Sequence, residues 1–313
     1  MSRVVSSVLL VLGIASPVRP WGCYGHEIVA YVAYRHLSPA AKAGVKDLVG
    51  RPASVVHVER FCNVTGLLAL ANVSSWADDV RGELPSTAPW HFIDIPRGTA
   101  SSADPAQFCP IAGCVTSAIT TQLARLKDTS LPKQRRAEAL MYLVHFVGDV
   151  HQPLHCTTND DRGGNCVPVD FFGTKTRPDP RSQHGDWKPN LHAVWDTKIL
   201  DRAMGSQGVE HYANELDREF ASRIGAWQRG TPGDWAMETH RLADAVAYGK
   251  LPTALPIEPG DVARCDQKHI SDHWHGFDER LAQSYYDAAR PALDEQLAKA
   301  GARLAMLLNR VWH

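Results

Sequence analysis

The chain has 313 residues, 44% of them apolar and 21% charged, which is enough for one sizeable core and one compact domain. Lys plus Arg total 33 against 34 for Asp plus Glu, so a formal charge of -1 excludes a broad basic surface that grips phosphates by counterion release. If this chain handles nucleic acid, metal ions must supply the positive charge.

From the start, Met1 to about Pro20 carries Arg3 and then an apolar run from Val4 to Ala15. That pattern reads as a secretory signal and is too short to span a bilayer. The expected domains are therefore a signal over residues 1–20 and a mature domain over residues 21–313, secreted to the extracellular space or periplasm. Pro20 departs from the small residue preferred before such a cut, which leaves a second trimming step open.

All 7 cysteines lie beyond the leader, and in an oxidising compartment most should pair, with one left over. Cys109 with Cys114 closes a short loop and Cys156 with Cys166 can close another. Cys23, Cys62 and Cys265 then share one long-range bridge and one free thiol. Asn63-Val64-Thr65 and Asn72-Val73-Ser74 match the glycosylation sequon, which matters only in a host that glycosylates.

Ile28, Val29, Val32, Ala33 and Leu37 form one apolar stripe between Gly25 and Ser38, and Ser38 caps a second helix with Pro39 in its first turn. Further helices are predicted over about Cys114–Lys127, Lys133–Gln152, Asn190–Met204, Val209–Trp227, Gly233–Gly249 and Ala292–Trp312. Loops rich in Pro, Gly, Ser and Asp fall at 82–110, 156–190 and 250–266. Strand-type alternation is scarce, so the predicted fold class is all-α, one multi-helix domain with long loops.

The 15 histidines matter less by number than by placement. In HFVGDVHQPLH, residues 145–155, His145 and Asp149 are four apart, so on a helix they share a face and can hold one ion between imidazole and carboxylate. His151 points elsewhere and is expected to cap or brace. Pro153 stops the helix and throws His155 into the following loop, where it can bend back to a neighbouring metal. NLHAVWD repeats the spacing with His192 and Asp196. A single such pair is more often structural, but two in a histidine-rich chain argue for metal.

Asp78 in WADDVR and His91 in WHFID sit among apolar or aromatic neighbours that would otherwise bury an unpaired polar group. A hydrogen-bonded core histidine is the alternative for His91. WGCYGH would open the mature chain, with Gly22 and Gly25 allowing a turn that brings His26 back toward the free amine of Trp21.

WGCYGHEIVAY, SSWADDVR, WHFID, HFVGDVHQPLH, GGN at Gly163–Asn165 and NLHAVWD, in that order, resemble the single-strand-specific zinc nucleases of moulds and plants, the S1/P1 type. The likeness runs from Trp21 into the last helix. It implies an all-helical fold with three zinc ions at the bottom of a cleft. By this resemblance Asp78, His91, His145 and Asp149 hold one zinc, and His155, His192 and Asp196 hold the second, the two forming the close pair. Trp21, through its amine and carbonyl, holds the third with His26 and Asp149.

The same resemblance implies that Phe92 stacks on a base, that Asp94 and Asn165 bond its edge, and that Arg81 helps neutralise the phosphate. A solvated surface arginine is the alternative for Arg81. The implied activity is metal-assisted hydrolysis of single-stranded DNA and RNA by water to 5′-phosphorylated products, with 3′-nucleotidase action on mononucleotides possible in such a site. A monomer without membrane contact is expected. The rival activity is a zinc-dependent phospholipase C, which has a similar ligand set but would not need HFID and GGN. A closed zinc-storage protein is a further rival, against which the three-donor second site argues.

Overall fold

The structure, a computed structural model, describes residues 21–50, 62, 68–180, 182–258, 264–265 and 279–313. The signal expected over residues 1–20 and the sequon at Asn63 lie outside the described residues. Among the described residues no helix is long and apolar enough to cross a membrane.

The fold is helical, as the patterning requires. Helix α1 spans Gly22–Arg35, and α2 spans Pro39–Val49 with the Ser38 hydroxyl accepting from Ala41 N at 3.1 Å. Short helices α3 (Ala69–Asn72) and α4 (Trp76–Arg81) lead to a 3-10 segment over Pro85–His91. Helix α5 covers Val115–Lys127 and packs along α6, Lys133–Asp149. Every residue of α6 from Ala137 to Asp149 is buried, so this is the central helix and its polar residues are enclosed by the bundle.

Helix α6 ends at Asp149 rather than at Gln152. His151 N then bonds Gly148 O at 3.0 Å, and Gln152 N bonds Asp149 O at 2.9 Å. The chain tightens into 3-10 geometry before Pro153, which has no N–H to continue the ladder.

The helix expected at 190–204 is divided. It begins as α7 (Leu191–Ala193), widens into a π segment over Val194–Lys198 and resumes as α8 (Ile199–Met204). The helix expected at 209–227 breaks at Phe220 into α9 (Val209–Glu219) and α10 (Ala221–Trp227). Helix α11 (Pro232–Leu242) also passes into a π segment, Ala243–Tyr248.

The last helix, α12, runs Gln283–Asn309, nine residues longer at its start than the sequence suggested, with Pro291 inside it. Tertiary contacts compensate the missing N–H. Tyr285 is buried, receives a hydrogen bond from Trp195 Nε1 and donates to Ala247 O, each at 2.8 Å. Helix α12 packs closely against α1, where a Cβ at Gly301 would stand 2.5 Å from Val32 Cγ1.

Strand content is slight. β1 (Val169–Phe171) pairs in parallel with β4 (Glu279–Leu281), and β2 (Arg177–Pro178) pairs antiparallel with β3 (Trp187–Lys188).

Disulfides join Cys23–Cys62, Cys109–Cys114 and Cys166–Cys265, and Cys156 is the free thiol. The short bridge is the one expected, whereas the Cys156–Cys166 pairing is wrong. Cys156 follows the His155 turn into the interior, with Sγ toward Val150 O at 3.4 Å, while Cys166 faces a partner 99 residues away. Ten residues of sequence separation did not bring the two thiols together.

Candidate metal centre

Helix α6 supplies the middle of the site. His145 and Asp149 share a face, with His145 Nε2 3.3 Å from Asp149 Oδ2. The 3-10 segment before α5 delivers His91, whose Nδ1 lies 3.0 Å from the same oxygen and 3.1 Å from His145 Nε2. Helix α4 adds Asp78, its Oδ1 3.7 Å from His91 Nδ1 and 3.8 Å from His145 Nε2.

From α1, His26 Nε2 lies 3.4 Å from the other oxygen of Asp149, and its ring stacks on His145 with centroids 3.8 Å apart. Gly148 makes room for it. A Cβ at that position would stand 2.7 Å from His26 Nδ1. Trp21 is fully buried beside this group, and its Nε1 donates to Gly148 O at 2.7 Å.

The remaining three converge after the Pro153 turn. His155 Nε2 is 3.7 Å from Asp196 Oδ1, and His192 Nε2 is 3.3 Å from Asp196 Oδ2. His155 also approaches the first cluster, with Nδ1 3.7 Å from Asp149 Oδ1.

Three buried triplets can therefore hold a cation: His26 with His145 and Asp149, Asp78 with His91 and His145, and His155 with His192 and Asp196. The first two share His145, and Asp149 turns one oxygen to each. The third shares no residue with them. The closely coupled pair is thus the His26 group and the Asp78 group, not the Asp78 group and the His192 group as the sequence reading had it.

The donor chemistry fits a borderline cation such as zinc, which takes imidazole nitrogen and carboxylate oxygen. Asp78 Oδ1, Asp149 Oδ1, His155 Nε2 and Asp196 Oδ2 are buried without a hydrogen-bond partner among the described residues. Such atoms are costly unless something else engages them. Around them, backbone carbonyls fix the far side of each ring: His145 Nδ1 donates to Ser74 O at 2.8 Å, His155 Nδ1 to His91 O at 2.8 Å and His192 Nδ1 to Gly163 O at 2.7 Å. Each ring thereby turns its Nε2 toward the triplet.

Electrostatics agree. Burial pushes His91 down to about 4 despite Asp149, and burial also lowers His26 and His192. Burial would lower His145 too, but Asp149 and Asp78 outweigh it and hold it up at about 9. Burial would raise Asp149, yet the His145 charge and hydrogen bonds from His145, His26 and His91 keep it well below the usual carboxylate range. Burial works against His155 as well, but Asp196 and Asp149 outweigh it and raise the ring, so an arriving cation would displace protons from His145 and His155.

His91, His155 and His192 line a cleft of about 150 Å³. Its walls carry Phe92, Asp94 and Asn165, with Arg81 and Arg162 also lining it. Phe92 is extended, Ile93 N bonds His155 O at 2.8 Å and Ile95 N turns back to Ile93 O at 3.0 Å. Ile93 and Ile95 are buried, while Phe92 and Asp94 line the cleft. Phe92 is 37% exposed, high for a large apolar ring and suited to stacking. Arg81 Nη1 lies 3.8 Å from Asp78 Oδ1, which ties the guanidinium to the cation cluster.

The GGN stretch has a steric reason. Gly163 adopts φ +61°, and a Cβ there would stand 2.4 Å from Leu154 O, so only glycine lets its carbonyl reach His192.

Several contributors escaped the sequence reading. Gln152 Nε2 donates to Asp196 Oδ1 at 2.6 Å and Gln152 Oε1 accepts from Leu154 N at 2.5 Å, joining the end of α6 to the His155 turn. Asp161 accepts from Asn159 N, Gly164 N and Tyr248 Oη, which fixes the loop bearing Gly163. Arg162 had no motif to mark it. His151 braces as expected, donating to Val147 O at 2.7 Å and accepting from Arg303 at 2.8 Å.

The family described as S1/P1 Nuclease matches residues 21–313. Nuclease P1 of Penicillium citrinum is 31% identical, over 93% of this chain and 97% of its own length. Nuclease S1 of Aspergillus oryzae is 29% identical, over 99% and 98%, and Endonuclease 2 of Arabidopsis thaliana 28%, over 99% and 97%.

Proposed function

The chain belongs to the S1/P1 nuclease family, and from that premise we propose that it is a secreted, zinc-dependent endonuclease that prefers single strands and leaves 5′-phosphates. The observation that carries the proposal is the convergence of three buried His/Asp triplets, two of them joined through Asp149 and His145, beside a cleft that His91, His155 and His192 line. We assign one zinc to Asp78, His91, His145 and Asp149, one to His155, His192 and Asp196, and one to His26 and Asp149 with the Trp21 amine and carbonyl. The last assignment requires removal of residues 1–20, the signal, so that Trp21 begins the mature chain.

Bound zinc would supply Lewis acidity and lower the pKa of water, so no side-chain nucleophile is needed. The residues do the rest. Asp149 presents one oxygen to each of two triplets and sets their relation. Arg81, anchored toward Asp78, offers a cation to the phosphate oxygens as charge builds in the transition state. Phe92 takes a base face, and Asp94 and Asn165 take its edge, which requires a base free of its stack. Water attacks phosphorus in line, the bond to the 3′-oxygen breaks, and the phosphate stays on the 5′ side. A terminal 3′-phosphate fits the same arrangement, so 3′-nucleotidase action belongs to the proposal, as do RNA and DNA as substrates and a monomeric state.

The test is hydrolysis of a labelled single strand and its duplex by the zinc-loaded mature protein, with Asp149→Ala as control. The proposal expects rapid 5′-phosphorylated products from the single strand, slower cutting of the duplex and no cutting by the variant. Equal rates on both strands, or cutting by the variant, would overturn it.

A further inference from the structure

The loop between His155 and His192 aims one of the candidate ligands through a single peptide unit. Gly163 O accepts from His192 Nδ1 at 2.7 Å, which turns Nε2 of that ring toward Asp196. The N–H of the same peptide unit belongs to Gly164, and it donates to Asp161 Oδ1 at 2.9 Å. Because the peptide is planar, whatever holds its N–H also sets its carbonyl. Asp161 is therefore one rigid step from His192. Its Oδ1 accepts from Asn159 N as well, at 3.1 Å, and its backbone oxygen accepts from Cys166 N at 3.0 Å.

Asp161 is fully buried, and a carboxylate in that setting keeps its place only while donors engage its oxygens. Tyr248 supplies one from a distant part of the chain. Its hydroxyl stands 3.1 Å from Oδ1 and 2.9 Å from Oδ2 of Asp161 and donates to that carboxylate. Burial and the Asp161 charge push the phenol well above its ordinary pKa, so it remains a donor. The ring itself is held. Tyr248 is buried, the Arg97 guanidinium lies over its face at 4.6 Å, and Arg97 is tied to Asp244 at 3.1 Å.

Tyr248 closes the π segment that continues α11, and His240, eight positions earlier, meets the same loop with Nδ1 2.9 Å from Thr157 Oγ1. Residues eight apart on a regular α-helix differ by about 80° in direction, and the wider π winding lets both reach one loop. The same segment packs on the Pro153–His155 turn. It thus bears on the carriers of two of the three ligands in the His155, His192 and Asp196 group.

Resting on the zinc reading of this centre, we propose that Tyr248 is a positioning residue for the ion at His155, His192 and Asp196, acting through the Asp161 carboxylate and the Gly163–Gly164 peptide. The route is short and its links are stated: hydroxyl to carboxylate, carboxylate to N–H, carbonyl to His192, each between 2.7 and 3.1 Å. Without the hydroxyl, Asp161 is free to turn, the peptide tilts, and His192 loses the orientation that a preorganised ligand needs to within about 0.5 Å.

The experiment draws zinc from the loaded mature protein with a graded chelator and counts the retained ions by native mass spectrometry. Tyr248→Phe keeps the ring under Arg97 and removes only the hydroxyl. It should hold one ion about 10–100-fold more weakly, the range for disturbed support around a ligand, and the other two as the parent does. Tyr212→Phe is the control for loss of a buried phenol, since that hydroxyl bonds Asp294 at 2.5 Å, and it should hold all three ions as the parent does. In a His192→Ala background, already short of that ion, Tyr248→Phe should change nothing further. Parent-like zinc binding by Tyr248→Phe, equal weakening of all three ions, the same loss in Tyr212→Phe, or a further loss in the His192→Ala background overturns the positioning role. Each of these leaves the nuclease reading standing when the parent holds zinc and cuts single strands. A parent that holds no zinc overturns both.

Discussion

Gly148→Ala should remove one metal and leave the fold. The added Cβ would stand 2.7 Å from His26 Nδ1, about 0.7 Å inside ordinary contact, in a position where His26 is already stacked on His145 at 3.8 Å and fully buried. Alanine gains roughly 1 kcal/mol of helix propensity over glycine, while overpacking a core costs about 1–3 kcal/mol. The net loss of about 0–2 kcal/mol corresponds to a few degrees in Tm for a chain of this size. A ligand ring displaced by more than about 0.5 Å no longer supports a preorganised site. The His26 site should therefore lose about 10–100-fold in zinc affinity, a loss typical of disturbed support around a ligand. Zinc titration by mass spectrometry under native conditions should show two retained ions and a third bound weakly, with kcat/KM falling in step. Three tightly bound zinc ions with full activity would refute the argument, and so would loss of all three, because the His155, His192 and Asp196 group does not touch Gly148.

Gln152→Leu should weaken zinc at that separate group by about 10–100-fold, since Asp196 loses its donor, and zinc competition with a chelator would report it. Stability in acid should depend on Glu238. Burial alone would raise it, but hydrogen bonds from Lys299 and Arg303 and their charges hold it at about 2, below the ordinary 4.5. Because the folded value is depressed, its contribution is full above about pH 4.5 and is lost as pH falls toward 2. Glu238→Gln should thus lower Tm at neutral pH and converge with the parent near pH 2; a constant offset across that range would contradict the assignment. Phe92→Ala should raise KM for single strands by roughly tenfold while duplex cutting changes less, because stacking is worth about 1–3 kcal/mol per base.

Much of the site was legible because its ligands come in local units. His145 with Asp149 and His192 with Asp196 are spaced for one helical face, and both pairs do meet. The second pair meets although the helix there is wound as a π segment from Val194, which no spacing rule reveals. Non-local facts were the ones missed. Cys166 finds Cys265 across 99 residues. The last helix was expected only from Ala292, but burial of Tyr285 and Tyr286 carries α12 through Pro291 to Gln283. Gln152 and Arg162 carry no pattern of their own; their roles appear only once Asp196 and Asn165 are in place beside them.

The central claim is that the triplets beside this cleft form a three-zinc centre organised by Asp149. Diffraction from crystals of the zinc-loaded mature protein, recorded on both sides of the zinc absorption edge, tests it most directly. Three anomalous peaks are expected: one at Asp78, His91, His145 and Asp149, one at His26, Asp149 and the Trp21 terminus, and one at His155, His192 and Asp196. Peaks elsewhere, or an Asp149 carboxylate that touches none of them, would contradict the account.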